Sequence, residues 1–106
     1  MQKRQLELWI GLVEFRPLDR ETYGDAGAFS YIVTWARGAA EFRKKADTIA
    51  ATMELCVMSI EREEPLARWL ETQSPSEEIE DMIQRAESNP NAIVYGTFHR
   101  YRVDQG

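Results

Sequence analysis

Residues 6–15, LELWIGLVEF, alternate with the period of a β-strand, yet both faces are apolar. Leu6, Leu8, Ile10 and Leu12 point one way, and Trp9, Val13 and Phe15 point the other. A strand of this kind needs contacts on two sides, and that demand constrains everything else the chain supplies. Residues 28–36, AFSYIVTWA, form a second strand, with Phe29, Tyr31, Val33 and Trp35 on one face and Ala28, Ser30, Ile32, Thr34 and Ala36 on the other. Between them residues 16–27, RPLDRETYGDAG, combine one proline and two glycines with charged residues and read as a loop.

The helical signals come next. Phe42, Ala46, Ile49, Ala50 and Met53 recur at helix spacing, while Arg43, Lys44, Asp47 and Thr48 face water. Residues 55–60, LCVMSI, follow as a largely buried strand, so that residues 28–60 read as strand, helix, strand with the two strands parallel. A short helix is expected near 65–72, with Leu66, Trp69 and Leu70 on one side. In SPSE, Ser74 is placed to cap a further helix, Pro75 suits its first position and Glu77 the reciprocal capping bond. Ile79, Met82, Ile83 and Ala86 give that helix its apolar stripe, and Asn89-Pro90 stops it.

Residues 92–103, AIVYGTFHRYRV, are expected as one last strand, with Ile93, Tyr95, Thr97, His99, Tyr101 and Val103 on one face and Val94, Gly96, Phe98, Arg100 and Arg102 on the other. The pattern predicts one α+β domain over residues 1–106, a two-layer sandwich in ββαβαβ order. Its four-stranded mixed sheet carries both main helices on one face. This order departs from the ferredoxin-like βαββαβ arrangement.

At 106 residues the chain can bury roughly two thirds of its unfolded surface without staples. Its apolar runs are too short to cross a bilayer, Glu7 interrupts the apolar run a secretory signal needs, and a cytoplasmic location is expected. The single Cys56 and single His99 offer no Cys/His cluster at metal-ligand spacing, so neither a metal nor another cofactor is expected. Net charge is −5 and unevenly spread: residues 53–89 hold ten acids against three bases, a balance of −7 that leaves +2 for the remainder. Glu77, Glu78, Glu80 and Asp81 head this acidic surface, which reads first as a solvated face and second as a docking surface for a basic partner.

The nearest approach to a motif is Gly38 in WARGAAEF, between a strand and a helix, where phosphate sites form. One glycine satisfies neither a dinucleotide fingerprint nor a Walker loop, and Glu41 can serve the helix start itself, so the glycine reads as a corner. His99 lacks an orienting carboxylate in sequence, Cys56 sits in an apolar run, and no catalytic residue is assigned. The strands are rich in aromatic residues. If the helices cover the Leu8 and Ile10 side, then Trp9 and Phe15, with Tyr31, Trp35, Tyr95, His99 and Tyr101, would form an exposed interface or ligand surface. The alternative is that the faces are reversed or that loop 16–27 covers the patch.

The expectation is therefore a protein-interaction module that binds itself as a homodimer or binds another protein, one of basic character. In size and acidity the chain resembles bacterial immunity proteins, small inhibitors of basic toxin enzymes. The competing class is a small-molecule-binding protein or enzyme with a pocket between the sheet and loop 16–27, lined by Trp9, Tyr31, Trp35, Tyr95 and His99. YGTFHRYRV is similar to the aromatic strand of an RNA-recognition module. A pI near 4.9 and the lack of a basic stripe on other strands argue against nucleic acid, and no membrane partner is expected.

Overall fold

The two strands read first in the sequence pair with each other at the centre of the sheet. In the computed structural model, which describes residues 5–19, 21 and 26–102, β1 (Glu7–Pro17) runs antiparallel to β2 (Ala26–Ala36) from Glu7↔Ala36 to Phe15↔Ala28. They are followed by α1 (Ala39–Thr52), β3 (Leu55–Pro65), α2 (Leu66–Thr72), α3 (Glu77–Ser88), β4 (Ile93–Tyr95) and β5 (His99–Arg102). The ββαβαβ order and the α+β class are as expected. No helix among the described residues is long and apolar enough to cross a membrane.

The sheet order is β3-β1-β2-β4, with β5 also on β2, and every pairing is antiparallel, so the expected mixed sheet does not form. Both β2 and β3 run opposite to β1. They are therefore parallel to each other in direction, as expected, but β1 lies between them. The hairpin partner takes the place beside β2 because it is closest in the chain and apolar on both faces, and α1 must cross over it to reach β3.

The helices cover opposite faces of the sheet, which corrects the two-layer expectation. On one face Val13, Phe15, Ile32 and Ala36 pack against Phe42, Ala46 and Ala50 of α1. On the other, Ile10 and Val33 pack against Leu66 and Trp69 of α2 and Ile79, Met82 and Ala86 of α3. The physical reason lies in the register: Ile10 opposes Val33 and Gly11 opposes Ile32, so each face carries fully buried aliphatic residues that one helical layer could not reach. Gly11 lets α1 come close, since a Cβ there would stand 2.9 Å from the Phe42 ring.

Four local expectations also shift. β3 is an edge strand rather than a buried one, with two register shifts against β1, Arg62 at φ 54° and Met58 45% exposed. Such bulges blunt an edge against pairing with other chains. The cap of α3 is Ser76, whose hydroxyl accepts from the Ile79 N–H at 3.2 Å, rather than Ser74, and Leu70 of α2 is exposed. The final strand breaks into β4 and β5. Against β2 the register runs Ile32↔Tyr95 but Phe29↔His99, so one extra residue sits between them and reverses the alternation of side chains. Val103, expected in that strand, and residues 20 and 22–25 of the expected loop lie outside the described residues, while β1 and β2 each extend into the loop's ends.

Separate cores have a testable consequence. Ile32→Val and Ile79→Val should each destabilise by about 0.5–1.5 kcal/mol, and in the double variant the losses should add to within about 0.5 kcal/mol in urea unfolding. A coupling above about 1 kcal/mol would contradict the separation. Glu54, just past α1, holds φ 57°, a left-handed conformation that costs a side-chain-bearing residue about 1 kcal/mol. Glu54→Gly should raise stability by a similar amount in the same assay.

Candidate functional site

The antiparallel register divides the aromatic residues between the two faces. Trp9 and Phe15 lie on the α1 face, Phe15 almost fully buried at 1% exposure, and Tyr95 opposes Ile32 of that same face. Tyr31 packs beside the α2 and α3 core, its ring edge-on to Trp69 at 6.4 Å. Trp35 lies on this face too, its indole N–H donating to the Ala86 carbonyl of α3 at 2.7 Å. His99 and Tyr101 share the Tyr31 side through β5. The expected single aromatic surface of Trp9, Phe15, Tyr31, Trp35, Tyr95, His99 and Tyr101 is thus not formed. The pocket expected from Trp9, Tyr31, Trp35, Tyr95 and His99 is not brought together either, because the sheet stands between its members. The β1–β2 register and the β4–β5 bulge decide this, and neither is visible in the alternation of a single strand.

Gly38 proves to be a corner. Its backbone is extended, with φ 170° and ψ 176°, and its carbonyl accepts the first helical bond from the Phe42 N–H. Glu41 does not close the expected half of a capping box with Gly38 but reaches one residue further back: its Oε1 accepts the Arg37 N–H at 3.2 Å, and its Oε2 lies 3.8 Å from the Arg37 guanidinium. A hollow of about 430 Å³ does adjoin this corner, lined by Gln5, Glu7, Trp9, Arg37, Gly38 and Ala39. A carboxylate already placed at the helix start disfavours an anion there. Cys56 is half-buried on the edge strand, 3.9 Å from the Met58 sulfur.

The acidic residues, by contrast, do gather. α2 and α3 lie on the same face and expose Glu71, Glu77, Glu78, Glu80, Asp81 and Glu87, against only Arg68 and Arg85. The neighbouring stretch of β3 adds Glu61 and Glu64, which oppose Leu12 and Ile10 on that side of the sheet. Asp81 is paired with Arg85 at 2.9 Å, but among the described residues no ion pair involves Glu71, Glu77, Glu80 or Glu87. On the α1 side Arg43 is matched by Glu63 at 3.1 Å and Arg37 by Glu41. Three of the acids, Glu77, Glu78 and Glu80, stand in the first turn of α3, where the helix dipole favours negative charge. Clustering them there is cheap for the fold.

Glu78 also has a structural task that sequence reading missed. Its two carboxylate oxygens accept the Thr97 N–H at 2.8 Å and the Thr97 hydroxyl at 2.7 Å, tying α3 to the break between β4 and β5. These bonds hold its carboxyl below the ordinary value of 4.5, with a smaller contribution from the charge of His99. A side chain at Gly96 would push the Glu78 carboxylate away from its bonds to Thr97 and press on Met82. The surrounding notch, of about 250 Å³, is lined by Glu78, Asp81, Met82, Arg85 and residues 94–97. A glycine inside a strand pattern was the available signal. Glu14 plays a matching part at the other end of β5, accepting from the Tyr101 hydroxyl and from Ser59 at 2.9 Å, and the Tyr101 bond is the main reason its carboxyl is also held below 4.5.

Both carboxylates are more acidic in the folded chain than unfolded. Their contribution to stability is therefore complete above the ordinary carboxylate range and is lost as pH falls through the lowered folded values. Removing the hydroxyl that lowers each carboxyl most, as Thr97→Val with Tyr101→Phe, should shrink the loss of urea stability between pH 7 and pH 3 relative to the unaltered chain. Parallel losses in the two proteins would show that these ties are not the source. No family model matches the chain, and no curated protein or solved structure matches it.

Proposed function

We propose that the protein is a cytoplasmic protein-binding module whose partner is basic and docks on the α2–α3 side. One observation carries this reading: acids that form no ion pair among the described residues are concentrated on one face of a folded domain, while the basic residues Arg37 and Arg43 on the opposite side are matched by acids of their own. A field of one sign steers an oppositely charged partner and discriminates against others. The resemblance to immunity proteins in size and acidity points the same way, with a basic protein surface as the target. Placing the interface on the helices replaces the aromatic sheet face considered from the sequence, whose members the fold distributes over two sides.

The test is a titration of ¹⁵N-labelled protein with a nona-lysine peptide, followed by amide shifts. The reading expects shifts concentrated between residues 66 and 88 and weakening with added salt. The double charge reversal Glu77→Lys with Glu80→Lys should weaken binding about tenfold. Shifts spread evenly over both faces, or none at low salt, would sink it. Light scattering on the free protein covers the homodimer: a stable dimer whose formation is unaffected by the charge reversal would move the principal interface elsewhere.

A further inference from the structure

We draw no further inference here: the strongest candidate, the hollow of about 430 Å³ beside Trp9, Arg37 and Gly38 at the N-terminus of α1, carries nothing because the indole N–H of Trp9, unpartnered among the described residues but on a side chain only partly buried, is by itself no ligand site and the Glu41 carboxylate beside the corner disfavours an anion.

Discussion

The architecture depends on the register of one hairpin. Nine consecutive pairs join β1 to β2, and they place even-numbered residues of the first with odd-numbered residues of the second on one face and the reverse on the other. Ile10 and Val33 are thereby buried on one side, and Val13 and Ile32 on the other, all with no exposure. A slip of one residue would turn every one of these side chains to the opposite face of its strand, against the wrong helix. Central strands with buried apolar residues on both faces tolerate no such error, because each face must be filled by a separate helical layer.

Around this pair the remaining elements act as covers and ties. α1 fills one side through Phe42, Ala46 and Ala50, and α2 with α3 fills the other through Leu66, Trp69, Ile79 and Met82. The last two strands are short, and polar contacts hold them where area alone would be thin. Thr34 donates to the Ala92 carbonyl at 2.9 Å just before β4, Glu78 holds Thr97 between β4 and β5, and Glu14 holds Tyr101 within β5. A residue of the acidic layer is thus also part of the scaffold. The proposed docking surface sits on helices packed on the sheet, with Glu78 anchored to Thr97 and Asp81 paired with Arg85.

Elements with strong local signals were legible. The stripe Phe42, Ala46, Ala50 named α1, and Ile79, Met82, Ala86 named α3, since helix periodicity needs only the residues it contains. Boundaries were less so: Ser76 rather than Ser74 caps α3, the two serines being chemically equal and only backbone geometry choosing between them. The break at Gly96 to Phe98 carried a signal in its glycine, but its effect, the transfer of Tyr95 and His99 to opposite faces, follows from an extra residue that strand alternation cannot count. Of the candidate site, the acids were legible as a run and the aromatic residues were not legible as a surface.

From the amino-acid order alone came the order and kind of the main elements, the double-sided character of the central strands, the corner at Gly38 and the concentration of negative charge between residues 53 and 89. These are local properties, set by spacing and composition within a few turns or residues. Which strand lies beside which, which helix covers which face, and which side chains share a surface were decided only on folding. They depend on contacts between residues far apart in the chain, such as Glu14 with Tyr101 or Trp35 with Ala86, whose energies have no trace in either segment taken separately.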